Sequence, residues 1–171
     1  MAKKNLKQFS IDFKRQVKSI ETFMKKDLHR IVKREALNHF EGSWDKQGFT
    51  DTTLKKWAPR TEPAKKFKKS GGKLKSYQRW KAKDKGRAIL VSHRTDTKGG
   101  HLKDSLRGEI RGSKVIIATD KVYARVHNEG GRAGRGKGFT MKKRQFIGDS
   151  EKLNQRIINK IDKQIDKIFQ S

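Results

Sequence analysis

In LRGEIRGSKVIIAT, residues 106–119, a β-branched run follows a glycine-containing step, and this reading decides the fold. Lys114 to Thr119 is the strongest strand signal in the chain, because Val115, Ile116, Ile117 and Thr119 pack well on a pleated surface. Gly112-Ser113 supplies a tight turn between that run and the residues before it. Leu102 to Ile110 therefore reads as a turn of helix or extended chain leading into a partner strand. Upstream, Ala88 to Val91 is a short apolar run and Thr95 to Gly100 a turn. Downstream, Val122 to Glu129 fits a short helix or a strand, and periodicity does not separate the two. Residues 130–138 form a Gly/Arg loop.

Helical patterns flank this region. Ser150 is positioned to cap a helix in which Leu153, Ile157, Ile161, Ile165 and Ile168 form one apolar stripe. Near the other end, Phe9, Phe13, Val17, Ile20, Met24, Leu28, Ile31 and Leu37 recur mostly at three- and four-residue steps. They predict one long helix within residues 1–41, with Ser10 as N-cap and Gly42 as stop. Residues 42–60 read as loop, anchored by Trp44, Phe49 and Trp57. The expected fold is α+β: a small antiparallel sheet flanked by a long N-terminal helix and a C-terminal helix. It forms a single domain over 1–171, with a Lys-rich insertion at 61–86, sheet and loops at 88–148 and the last helix at 150–170. Both stripes are expected to be core or subunit interface.

The 171 residues carry 45 Lys and Arg against 18 Asp and Glu, a net charge of +27, with no Cys. No apolar run approaches the ~20 residues needed to span a bilayer, and residues 1–13 lack the apolar centre of a secretory signal. A disulfide framework is excluded, which fits a reducing compartment. The charge is concentrated. Residues 54–87 hold 14 basic residues and two acids, and residues 121–144 hold eight basic residues and one acid. Such density points to a polyanionic partner, either nucleic acid or an acidic protein surface. The candidate contacts are Lys65, Lys66, Lys68 and Lys69 in the insertion, and Arg132, Arg135, Lys137, Lys142, Lys143 and Arg144 further on. The insertion is expected to be mobile, with a short helix near 73–83.

Catalytic signals are weak. Gly131 to Lys137 has most of a phosphate-binding P-loop, but Gly138 stands where Ser or Thr would hold Mg²⁺. His127-Asn128-Glu129 has the H-x-E shape of a zinc deaminase without the thiolate ligands that chemistry requires. His29 and His39 are ten residues apart and do not share a helix face as metal ligands would. Phe67, Tyr77 and Trp80 stand among lysines, as base-stacking residues do, but at no recognised spacing. The residues thus nominate no catalytic group, no metal and no cofactor.

A more specific order of motifs runs through the chain: Phe40 with Gly42, Trp57-Ala-Pro-Arg-Thr61, Ile89 to Val91, and Gly100-His-Leu102-Lys-Asp-Ser105-Leu106. After the Val115–Thr119 run come Tyr123-Ala124-Arg-Val-His127-Asn-Glu-Gly130 and Met141-Lys-Lys-Arg144-Gln-Phe146-Ile147-Gly148. Over roughly residues 35–170 the chain resembles the phage virion morphogenesis family, which includes the Mu-like protein G and phage tail completion proteins. The residues carrying the resemblance are Trp57, Leu102, Ser105, Tyr123, Ala124, His127, Gly130, Phe146 and Gly148. Lys142 and Gln145 replace two prolines of the family's closing motif.

The resemblance implies a structural, non-catalytic protein of the phage neck or tail. It would complete the tail or join it to the head through a ring, six subunits by family analogy, against tail tube, tail terminator or connector proteins. Non-specific contact with packaged DNA, location in the virion and assembly in the host cytoplasm follow from the same expectation, with no membrane involved. Two other readings remain open. One is a sequence-independent nucleic-acid-binding protein, and the other a small nuclease using His127 and Glu129.

Overall fold

The computed structural model describes residues 5–60, 78, 81–82, 85–91 and 100–170. Lys65, Lys66, Lys68 and Lys69, with Phe67, Tyr77 and Trp80, lie outside those residues. Within the expected helix near 73–83, Gln78, Lys81 and Ala82 are helical.

Helix α1 spans Leu6–Lys26 and α2 spans Leu28–Lys46. The single N-terminal helix expected from the stripe is thus two consecutive helices divided at Asp27. Backbone bonding nevertheless carries through: the Asp27 N–H donates to the Phe23 carbonyl at 2.9 Å, and Ile31 N–H to the Asp27 carbonyl at 3.0 Å. Asn5 is the cap instead of Ser10, accepting from the Lys7 N–H at 3.3 Å. Asn caps as well as Ser and stands earlier in the chain, so the helix begins sooner.

Gly42 does not stop α2. A Cβ there would meet no atom within 4 Å, so the glycine costs the helix about 1 kcal/mol relative to Ala. The neighbouring Phe40, Ser43 and Trp44 are buried, and that burial outweighs the cost. The stop falls at Gln47, in the left-handed region at φ 50°. Its N–H donates to the Trp44 carbonyl at 3.2 Å, and its Nε2 to the same carbonyl at 2.6 Å. The side chain substitutes for the glycine usual at this position.

Among the described residues, the expected sheet is present as three separate two-stranded pieces. Strands β1 (Gly48–Thr50) and β2 (Leu54–Lys56) form an antiparallel hairpin inside the segment read as loop. A 3-10 turn at Lys103–Ser105 leads into β3 (Leu106–Arg111), and Gly112, at φ 58°, turns the chain into β4 (Lys114–Thr119). Residues Ala124–Glu129 are helical (α3), which decides the ambiguous segment. The Gly/Arg loop is the connection of a hairpin, β5 (Gly131–Ala133) with β6 (Phe139–Met141). Helix α4 (Glu151–Gln170) starts where Ser150 Oγ accepts the Leu153 N–H at 3.1 Å, as its sequence predicts. In the short apolar run at 88–91, Ile89 and Leu90 form a turn.

The chain divides into two compact units: residues to His39 with Arg107–Ala118 and those from Ser150, and Phe40–Leu106 with Thr119–Asp149. In the first unit α1 packs on α4, where Gln16 Nε2 donates to the Phe169 carbonyl at 3.4 Å. The α4 stripe faces inward: Leu153 is buried, and Ile157, Ile161, Ile165 and Ile168 are half-buried. The α1 stripe does not. Phe9 is 61% exposed, Phe13 52%, Val17 40% and Met24 46%.

Glu35 of α2 ties the first unit together. Its carboxylate is buried and accepts from Arg156 Nη2 at 2.8 Å and Lys160 Nζ at 2.6 Å, both on α4. Burial pushes its pKa up, but hydrogen bonding from Lys160 and Arg156 outweighs this and holds it below the ordinary 4.5. A carboxylate depressed on folding adds stability above its unfolded pKa and loses it as pH falls through the folded one. Glu35→Gln should therefore destabilise the protein by ~1–2 kcal/mol at neutral pH, because both released cations are already half in water. Thermal melts should show the wild type losing more stability than Glu35→Gln on acidification below pH 4.5. Parallel acid profiles would refute the coupling.

Candidate binding cleft

The second unit is built on stacked aromatics. Trp44 lies edge-on to Trp57 at 5.6 Å between ring centroids and 5.1 Å from Phe146. Phe40 stacks on Phe49 at 6.4 Å. The segment Arg144–Ile147 is then fastened to Trp57–Pro59 and to α3. Trp57 Nε1 donates to the Gln145 carbonyl at 2.6 Å. Arg144 Nε donates to the Ala58 carbonyl at 3.0 Å and its Nη2 to the Pro59 carbonyl at 3.2 Å. Asn128 Oδ1 accepts the N–H groups of both Phe146 and Ile147, at 2.9 and 3.0 Å.

A cleft of about 650 Å³ opens beside this frame. Ile89, Leu90, Val91, Leu102 and Met141 give it apolar walls, and Arg60, Arg144, His101, His127 and Tyr123 give it polar groups. No Asp or Glu is among the described residues lining it. Tyr123 stands edge-on to His127, with ring centroids 5.8 Å apart. Burial lowers the His127 pKa, and the nearby Arg144 and Arg60 charges lower it further, which favours the neutral imidazole. Arg144 is itself lowered by burial and then by Arg60. The Nδ1 atoms of His101 and His127 are buried and have no hydrogen-bond partner among the described residues.

The residues that carried the family resemblance fall into two roles. Trp57, Leu102, Ser105, Ala124 and Phe146 are buried in the frame. Ser105 Oγ donates to the Leu102 carbonyl at 2.8 Å and lies 2.6 Å from Thr119 Oγ1, fixing the turn before β3. Gly130 closes α3 at φ 81°, where a Cβ would lie 3.1 Å from the Lys143 nitrogen. Gly148 has φ 153°. Tyr123 and His127, with Leu102, face the cleft.

Among the basic candidates, Arg132, Arg135, Lys137, Lys142 and Lys143 are exposed on and beside the β5–β6 hairpin. Arg144 stands apart from them, 8% exposed. The hairpin also accounts for the incomplete P-loop. Arg132 Nη2 donates to the Gly136 and Lys137 carbonyls at 3.3 and 3.2 Å, so a side chain occupies the loop. At Gly138, φ is 58° and a Cβ would lie 2.6 Å from the Ala133 carbonyl oxygen, which leaves no room for Ser or Thr. Glu129 pairs with Arg125 at 2.9 Å on the exposed side of α3. No cluster of metal-ligating side chains is found among the described residues.

Sequence reading missed Asn128, Arg60 and Gln47. Arg60 Nη2 donates to the Ala88 and Val91 carbonyls at 2.8 and 3.0 Å, and Gln47 Oε1 accepts the Ile89 N–H at 2.5 Å. These side chains shape the cleft wall by holding main-chain groups, a role without a residue-type signature.

Among the described residues, this α+β frame presents a cleft that joins apolar walls to two arginines and two histidines. The chain belongs to the phage virion morphogenesis family, whose model matches residues 50–166, more than half of its length. No curated protein and no solved structure matches it individually. Membership gives it a role in building the phage particle together with other virion proteins. Among the described residues, no helix is long and apolar enough to cross a membrane.

Proposed function

We propose that this chain is a single-domain, non-catalytic structural component of the phage neck or tail. It completes the tail or joins it to the head as a closed homo-oligomeric ring of six subunits, against tail tube, terminator and connector proteins. The observation carrying the ring is the solvent-facing Phe9-Phe13-Val17-Met24 stripe of α1. Its stacked phenyl rings, with centroids 6.2 Å apart, are more apolar surface than one subunit needs. A head-to-tail contact covers such a surface and closes into a ring. Assembly takes place in the host cytoplasm. The exposed basic hairpin and the Lys65–Lys69 segment then face acidic virion surfaces or packaged DNA. The test is quantitative mass spectrometry of purified particles, together with imaging of particles made without this chain. About six copies per particle and unjoined or unfinished tails are expected. Absence from finished particles, or a monomer within them, overturns the reading.

The exposed basic hairpin also favours a second reading, a sequence-independent nucleic-acid binder. That reading requires the isolated chain to bind duplex DNA with an affinity that falls steeply as salt rises.

A further inference from the structure

We infer that the cleft of the second unit is a socket for an acidic side chain carried on an apolar peptide segment of a neighbouring virion protein. That partner class rests on the virion role proposed above. Arg60 and Arg144 both line the cleft, and no carboxylate among the described residues lines it with them. Arg144 has five N–H groups; Ala58, Pro59 and, at 3.9 Å, the Met141 sulfur engage three of them. A buried cation held by two carbonyl dipoles and a weakly accepting thioether gains most from a carboxylate, which a guanidinium holds with two parallel hydrogen bonds. The buried, unpartnered Nδ1 atoms of His101 and His127 lie in the same lining and supply further contacts.

The apolar wall selects the source of the acid. Ile89, Leu90 and Val91 offer hydrocarbon beside the cations, which suits a peptide with apolar residues next to its acid. A nucleic-acid backbone presents no such surface, and the exposed hairpin lysines and arginines already offer phosphate contacts. The wall is also held under strain. Leu90 sits at φ 60°, a conformation bulky residues rarely adopt, while Arg60 grips the carbonyls on either side of it, those of Ala88 and Val91. Strain persisting against a cleft is a recurrent property of ligand clamps. A volume near 650 Å³ accommodates a few side chains.

The full-length chain should be titrated with acetyl-Leu-Glu-Leu-amide and with its Gln counterpart, following the imidazole resonances of His101 and His127 by NMR. The Glu peptide should shift both saturably in the millimolar range, and the Gln peptide should bind at least ~10-fold more weakly, the scale of one charge-assisted contact. Arg144 also fastens the frame, so its substitution risks unfolding. Leu90→Asp avoids this, because Asp tolerates a left-handed backbone. It places a carboxylate in the cleft and should abolish peptide binding. Equal response to the two peptides, no response, or undiminished binding by Leu90→Asp overturns the proposal. So does a stronger shift of the same signals by inorganic phosphate or a DNA duplex. The titration needs no particle, so a cleft that binds the peptide in a chain missing from virions would leave this inference standing and remove only the virion role.

Discussion

Phe146→Ala should unfold the second unit at markedly lower denaturant, with a loss of ~3–5 kcal/mol, the usual cost of emptying a buried phenylalanine site. Phe146 is 1% exposed and packs against Trp44, which in turn packs against Trp57. The void cannot close easily, because the flanking chain is pinned on both sides. The Gln145 carbonyl is held by Trp57 Nε1, and the Phe146 and Ile147 N–H groups by Asn128. Urea titration followed by tryptophan emission reads this directly, since Trp44 and Trp57 are both buried in the same frame. The emission should shift to the red at lower urea than in the wild type. Phe146→Leu, which keeps most of the volume, should cost less than ~1.5 kcal/mol. A Phe146→Ala midpoint indistinguishable from the wild type would remove the aromatic frame as the source of stability in this unit.

The same segment shows what the sequence could and could not disclose. Trp57 was legible as an apolar anchor, whereas Phe146 stood out only as a motif residue, and its burial at 1% exposure came from the fold. The β3–β4 hairpin and α4 were legible because their periodicities are regular and their turn or cap, Gly112-Ser113 and Ser150, is chemically distinct. The β1–β2 hairpin was not: it has three residues a side, and β2 (Leu54, Lys55, Lys56) is fully on the surface, so no alternation builds up. Gly42 misled for a physical reason. Tertiary burial of its neighbours overrode a local preference of about 1 kcal/mol. The cleft was half visible. Tyr123 and His127 stood in a motif, but their partners Arg60 and His101 come from distant stretches joined only by the fold. Gln145 replaces a family proline, yet its N–H donates to no described acceptor and its carbonyl takes the Trp57 bond, so the exchange leaves that hydrogen bonding intact.

The double substitution Phe9→Ser, Phe13→Ser should dissolve the assembly without unfolding the subunit. Both rings are more than half exposed and stack on each other along α1, so their loss removes little intramolecular packing and the thermal melt should move by less than ~1 kcal/mol equivalent. In an assembly the balance differs. Burying each ring against a neighbour contributes ~2–3 kcal/mol, so losing both weakens each contact by a factor on the order of 10³. A closed ring multiplies the effect, because every subunit makes the same contact twice. Sedimentation velocity should therefore show the wild type as a closed oligomer, alone or with its virion partners, and the double variant as a monomer at the same concentration. Lys14→Ser and Lys18→Ser on the same helix serve as controls, since they alter charge without touching the stripe and should leave the oligomer in place. If the double variant sediments as the wild type does, the α1 stripe is not a subunit contact, and the proposed ring loses the observation that carries it. If the lysine controls dissociate as well, the contact is electrostatic, and raising the salt concentration should dissolve the wild-type assembly too.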